Sequence, residues 1–270
     1  MSEELASFNG VRLNVADEGH GPTIVLLHGW SYDLHLWDHL SSRLLEAGWR
    51  VVRVDLRGHG RSPADGPYRF IQLSRDLEEV LAVRAPDRPV LLGLSLGGFL
   101  TMRFAIDHPD AVAGVVLADT WTTPIPSDTE MAETLPSSSD GATALAQWWT
   151  ARRGGDQIVT ADRDLVAARD RFADLNADGL RHAIAACADR EPVTSEELAR
   201  ITAPALVIAG ERDRLFTPQM HASIAATIPD GSLHIIPDAG HISVTDAPEE
   251  FTRHVLAFLA SLPISDQEDT

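Results

Sequence analysis

The chain has 270 residues, 44% hydrophobic and 23% charged, a balance that suits one large globular domain or a domain carrying an insertion. Its formal net charge of -18 argues against nucleic acid, whose phosphates such a field repels, and against an anionic membrane surface. With one cysteine, Cys187, no internal disulfide can form, and no apolar run approaches the ~18 residues that suggest a membrane helix.

The N-terminal stretch MSEELASFNG is acidic and polar rather than leader-like, so a cytoplasmic location is expected. All 22 basic residues are arginine, which is read as codon bias rather than as function. The first strand pattern is VRLNVADEG (11–19), ending in a turn at EGHGP. TIVLLHG (23–29) is a continuous aliphatic run of the kind buried on both faces of a sheet. Helical spacing over 36–48 stops at Gly48, and WRVVRVDLRG (49–58) reads as the next strand. A helix over 71–85, a strand over 88–94, a helix near 97–108 stopped by Pro109 and a strand over 112–120 follow. Such alternation implies a parallel sheet with right-handed crossovers.

The alternation breaks at Trp121. Up to Pro192 there is a polar loop and then alanine-rich helical segments, without a strand pattern. It resumes with a strand over 203–213, a helix near 218–227, a strand over 231–241 and a last helix whose start is read at Asp246 and Pro248. The reading is one α/β core, residues 1–120 and 193–270, interrupted by a helical insertion, residues 121–192.

Gly93-Leu94-Ser95-Leu96-Gly97 fits the G-x-S-x-G pattern, which by itself is weak, since a serine there could simply cap the following helix. Position adds weight. In a parallel α/β sheet functional residues gather at the carboxyl ends of strands. HGW (28–30), DLRGHGRS (55–62), Ser95, GERD (210–213) and AGH (239–241) all fall there. The order Ser95, Asp213, His241 is that of nucleophile-elbow hydrolases.

Together these stretches make the chain resemble an α/β-hydrolase-fold enzyme over nearly its whole length. The resemblance implies a mostly parallel, doubly wound sheet of about eight strands, with a helical cap inserted after the sixth. It also implies roles. Ser95 is the expected nucleophile, His241 its base, and Asp213 the acid that orients the imidazole, with Asp119 as the rival acid. The backbone N–H groups of Leu96 and Trp30 are the expected oxyanion hole. His28 is read as a brace for the oxyanion loop, and Asp55 and His59 as holding a tight turn. Dehalogenases of this fold carry aspartate at the nucleophile position, so Ser95 counts against that reaction.

Tyr32, Phe99, Trp121, Trp148, Trp149, Phe216 and Ile242 are candidates for an apolar pocket, each with simple packing as the alternative. Arg152 and Arg153 could meet a substrate carboxylate or lie on a solvated surface. The stretches HGW…DLHLWD, LADT, LRHAIAACADRE and GHISVTDAPEEF are similar to 3-oxoadipate enol-lactonases and non-haem haloperoxidase-like esterases. That similarity implies a small ester or lactone substrate, no metal or cofactor, and a monomer or homodimer. Carbon–carbon bond hydrolysis, cofactor-free oxygenation or perhydrolysis, and a non-catalytic ligand receptor are the alternatives on the same fold.

Overall fold

Short runs rich in valine, leucine and isoleucine are too brief for helices and well suited to a pleated surface buried on both sides. Four of them build the centre of the sheet: β3 (Thr23–Leu27), β4 (Arg50–Val54), β5 (Val90–Leu94) and β6 (Gly114–Ala118). The computed structural model describes residues 3–63, 66–123 and 177–263, with the single positions 134 and 144. Among them eight strands form one sheet, completed by β1 (Glu3–Phe8), β2 (Val11–Glu18), β7 (Ala205–Gly210) and β8 (Gly231–Ile236). The order across the sheet is β1-β2-β4-β3-β5-β6-β7-β8. β2 runs antiparallel to both β1 and β4, and every other pairing is parallel.

β1 lies in a stretch whose acidity gave no strand pattern. The turn that returns it to β2 is Asn9-Gly10, both at positive φ (46° and 76°), with Phe8 opposite Val11. This is the two-residue turn that right-twisted hairpins favour.

Helices cover both faces. Described in chain order they are a 3₁₀ turn (Leu34–Trp37), α1 (Asp38–Glu46), α2 (Phe70–Arg84), α3 (Leu96–Asp107), α4 (Ala177–Ala188), α5 (Ser195–Leu198), α6 (Pro218–Thr227), α7 (Ser243–Asp246) and α8 (Pro248–Ser261). None of them is long and apolar enough to cross a membrane. Alternate residues of each strand feed opposite cores. Val25 and Leu27 pack with α2, α3 and α6, whereas Ile24 and Leu26 pack with α1 and α8. Burying each such side chain contributes about 1.5–3 kcal/mol. α1 ends as the sequence suggests, with Gly48 at φ 83° just past its last turn.

Residues 119–204 join β6 to β7, and α4 and α5 lie within them. Leu180, Ala183 and Ile184 of α4 join the α2–α3 core rather than forming one of their own. Contact is close because both chains offer glycine. A Cβ on Gly179 would lie 2.4 Å from the Gly58 carbonyl oxygen, so neither position has room for a side chain. The stem of this segment is fastened by Val193 N–H donating to the Thr122 carbonyl at 2.6 Å. Arg190 adds to it by donating to the carbonyls of Cys187 and Thr123.

Candidate active site

Ser95 stands at the junction of β5 and α3 with φ 54° and ψ −112°, a backbone conformation that costs an L-residue about 1–3 kcal/mol. The surrounding glycines explain how so tight a turn closes. A Cβ on Gly93 would lie 2.1 Å from the Gly97 carbonyl oxygen, and one on Gly97 would lie 2.1 Å from that of Leu27. Backbone atoms occupy those places and cannot yield. The Ser95 side chain makes no capping bond to α3, so the helix-cap reading of this serine does not describe it.

Its hydroxyl instead lies 3.1 Å from Nε2 of His241. His241 Nδ1 lies 2.9 Å from Asp213 Oδ2. The Asp213 bond fixes the proton on Nδ1 and leaves the Nε2 lone pair facing the serine. Asp213 Oδ1 accepts the N–H groups of Leu215 (2.8 Å) and Phe216 (3.0 Å), which aims the carboxylate from behind. Burial alone would raise its pKa. The His241 charge, their hydrogen bond and these two N–H donors outweigh burial and hold it below the ordinary carboxylate value. Ser95 and His241 are buried, with 7% and 8% exposure, and Asp213 more deeply, at 2%.

The two loops carrying acid and base touch through their backbones. A Cβ on Gly210 would meet the Gly240 carbonyl oxygen at 2.1 Å, and Arg212 N–H donates to the Ala239 carbonyl at 2.8 Å. Asp246, read from sequence as part of a helix start, accepts the Gly240 N–H at 2.8 Å and so braces the residue before His241. The last helix starts instead with Pro248 at its first position and Ala247 as its N-cap.

Asp119 is fully buried, and its carboxylate meets Gly210 and Ser243. Oδ1 accepts Gly210 N–H at 3.1 Å, while Oδ2 accepts Ser243 N–H at 3.0 Å and Ser243 Oγ–H at 2.6 Å. It therefore ties the end of β6 to the acid loop and to the turn after the base. Burial first, and then the charge of Asp213, push its pKa well above the usual carboxylate value, against the pull of those donors.

The first turn of α3 leaves Leu96 N–H without an i−4 carbonyl in the helix. Opposite it, Gly29 packs so near that a Cβ there would lie 3.2 Å from Ser95 Cβ. The Gly29 carbonyl accepts from His28 Nδ1 at 2.7 Å and from Tyr32 N at 3.2 Å. Because a trans peptide points its C=O and N–H in opposite directions, pinning this carbonyl also fixes the direction of the Trp30 N–H. His28 Nε2 accepts Leu56 N–H at 2.9 Å, which assigns the Nδ1 proton. Burial lowers the His28 pKa, keeping it the neutral tautomer that this bracing needs. His59 is likewise neutral, pushed down to about 3 by burial and by the nearby His28. Asp55 accepts Leu34 N–H, Arg61 N–H and Asn14 Nδ2, and so holds the DLRGHGRS turn.

The aromatic candidates divide. Phe99, Trp121 and Phe216 form a continuous wall, with Trp121 stacked on Phe216 at 4.2 Å and the Phe216 ring edge-on to His241 at 5.1 Å. Tyr32 and Ile242 belong to the core on the opposite face of the sheet and do not join this wall. The Trp30 indole donates to the Leu180 carbonyl at 2.9 Å, tying the loop after β3 to α4. Trp148, Trp149, Arg152 and Arg153 lie outside the described residues. Among the described residues no three His, Cys, Asp or Glu side chains converge as a metal site requires.

Comparison with known proteins identifies the family of the chain. The chain is 32% identical over 265 residues to RutD of Variovorax paradoxus (strain S110), provisionally named a carbamate hydrolase, covering 90% of this chain and 95% of that one. The enol-lactonase from Burkholderia xenovorans LB400 superposes with a TM-score of 0.79 at 30% identity, covering 95% and 99% of the two chains. A thermophilic esterase from Thermogutta terrifontis superposes with a TM-score of 0.83 at 26% identity, covering 96% and 98%. Residues 22–248 match the family model for the alpha/beta hydrolase fold, and the chain belongs to that family of hydrolases.

Proposed function

We propose that this protein hydrolyses a carboxylic ester or lactone through an acyl-enzyme on Ser95. The observation that carries the reading is the unbroken hydrogen-bond line from Asp213 through His241 to the Ser95 hydroxyl, at 2.9 and 3.1 Å. A serine hydroxyl is a weak nucleophile at neutral pH and needs a base within hydrogen-bond reach. His241 Nε2 takes the hydroxyl proton as Ser95 Oγ bonds to the carbonyl carbon, and the ionised Asp213 stabilises the imidazolium that results. The carbonyl electron pair moves onto oxygen, where the N–H groups of Leu96 and Trp30 receive it; each such donor lowers the barrier by about 3 kcal/mol. Collapse breaks the ester C–O bond, and the His241 proton passes to the leaving oxygen. In a lactone that oxygen stays tethered to the acyl group. Water then attacks the acyl-enzyme with His241 again as base, releasing the acid and restoring the serine.

Protein groups thus supply nucleophile, base and oxyanion donors. Residues 121–192 act in this reading as a cap over Ser95, with Phe99, Trp121 and Phe216 as the apolar wall against which the acyl or alcohol group packs. The enol-lactonase and esterase likenesses support a small ester or lactone as the substrate class.

The deciding experiment is acid release from a panel of short esters, enol-lactones and larger-ring lactones, with Ser95→Ala beside the native protein. Native release with at least a ~10³-fold loss in the variant is expected. Equal release by both proteins would remove Ser95 from the mechanism, and release from no member of the panel would remove ester and lactone hydrolysis.

A further inference from the structure

Ser95 is held in its strained conformation from β6, the next strand of the sheet. Its N–H donates to the Ala118 carbonyl at 2.9 Å. Its carbonyl accepts the Thr120 hydroxyl at 2.9 Å, in addition to the helical N–H of Phe99 at 3.0 Å. Both peptide groups of the nucleophile are therefore gripped by the short stretch Ala118–Thr120.

Thr120 is in turn fixed from three sides. It is fully buried. Its N–H donates to Nε2 of His221 at 2.9 Å, and Nδ1 of His221 donates to the Thr217 carbonyl at 3.0 Å. His221 must be the neutral Nδ1–H tautomer to do both, and burial lowers its pKa in that direction. The Thr120 side chain fills the space that Gly98 leaves empty. A Cβ on Gly98 would lie 2.7 Å from Thr120 Cβ and 2.8 Å from its Oγ1. Gly98, the third glycine of GLSLGG, is thus explained by what lies against it: it lets a threonine just past the end of β6 reach under the elbow.

We infer that Thr120 is a positioning residue for the nucleophile, its hydroxyl holding the Ser95 carbonyl so that Oγ stays directed at His241. The inference rests on the serine-hydrolase reading. Thr120 touches no reacting atom; it acts on the strained residue that does. Without the hydroxyl, Phe99 N–H and Ala118 remain, so the fold survives while the serine gains rotational freedom. The effect belongs in the rate of bond formation at Ser95 and not in substrate binding.

The test uses the full chain with Thr120 replaced by Val, Ala and Ser. Two rates are read: covalent labelling of Ser95 by a fluorophosphonate, and kcat and KM on the best ester or lactone of the panel. Native protein against Ser95→Ala comes first. Labelling that survives Ser95→Ala rejects the serine-hydrolase reading itself, before Thr120 is in question.

With that established, Thr120→Val and Thr120→Ala should each lower the labelling rate and kcat about tenfold, the scale of one hydrogen bond, with KM within about twofold. Thr120→Ser, which keeps the hydroxyl, should stay within about twofold of native in both rates. A merely structural threonine would lower the melting temperature and leave the labelling rate of the folded protein unchanged. Unchanged rates in Thr120→Val overturn the inference, and so does Thr120→Ser falling as far as Thr120→Val. If Val does not fold, Ala carries the measurement. Failure of both to fold also overturns it, because the hydroxyl would then be a determinant of folding rather than of position.

Discussion

Two buried aspartates stand near His241, and replacing each by asparagine should give opposite signatures. In Asp213→Asn the side chain keeps its shape, and Leu215 and Phe216 N–H can still be accepted by the remaining oxygen. What is lost is the charge opposite His241 Nδ1 at 2.9 Å, and with it the tautomer that leaves Nε2 free to take a proton. That change costs about 10⁴ in kcat, equivalent to about 5 kcal/mol of transition-state stabilisation. Stability falls only modestly by comparison: the interactions that hold Asp213 ionised outweigh its burial, and part of them is lost with the charge. In Asp119→Asn the order reverses. All three groups meeting Asp119 are placed to donate: Gly210 N–H, Ser243 N–H and Ser243 Oγ–H. An amide nitrogen must face one of them, and the least costly orientation sacrifices the single bond to Gly210. Leaving that N–H buried without an acceptor costs about 1–3 kcal/mol of stability, while kcat falls less than ~100-fold. Initial rates on the best panel substrate, paired with urea unfolding of each variant, separate the two. A kcat for Asp119→Asn as low as that for Asp213→Asn, or a loss under ~10-fold for Asp213→Asn, would refute this division of labour.

Gly93→Ala should prevent folding to the native elbow, since its Cβ would lie 2.1 Å from the Gly97 carbonyl oxygen and 2.5 Å from Gly98 N. Gly10→Ala meets no atom within 4 Å and should cost only about 1 kcal/mol for its positive φ, which thermal melts of the two variants compare directly. Acid should weaken the fold through His59: between about 3 and 6.5 the unfolded imidazole holds a proton that the folded one does not, so stability rises with pH across that window. Urea unfolding at pH 7 and at pH 4.5 should therefore show the deficit of His59→Gln shrinking at the lower pH, by about 2 kcal/mol, and an unchanged deficit would contradict a neutral buried His59.

The parts of the fold that sequence makes legible are those where one signal dominates. Near-continuous aliphatic runs mark β3, β5, β6 and β7, because burial on both faces leaves no room for alternation. β1 escapes that signal, since its pattern of exposure follows from being an edge strand, yet Asn9-Gly10 announces its hairpin in turn chemistry rather than in hydrophobicity. In the site, Ser95, Asp213 and His241 stand out because each follows a strand at the same edge of the sheet. The supporting residues do not. Asp119, Thr120 and His221 act through bonds spanning 124, 25 and 101 residues, and no local spacing encodes such pairings; Asp246 acts through a loop bond six residues long. For the same reason Tyr32 and Ile242, neighbours of catalytic positions in sequence, pack into the opposite core: in a strand-end loop, adjacency along the chain does not fix which face a side chain joins.

In the proposed reaction, the aromatic wall beside His241 joins the choice of substrate to the chemistry. Trp121 lies just past β6 at the start of the connection to β7, and one face of its ring stacks on Phe216 while the Arg190 guanidinium lies 4.6 Å from its centroid. Phe216 meets His241 edge-on, and its own backbone N–H holds Asp213. Arg190 also donates to Cys187 and Thr123, so one cation ties α4 to the stretch that follows β6. A ring displaced at Trp121 therefore reaches the acid through Phe216 backbone and the base through Phe216 side chain. Changes to the stem that alter which groups fit against this wall must also move the imidazole and its carboxylate. Under the proposed serine-hydrolase reading, specificity and rate are coupled by packing, since the aromatic contacts proposed to shape the pocket also touch His241 and the loop that holds Asp213.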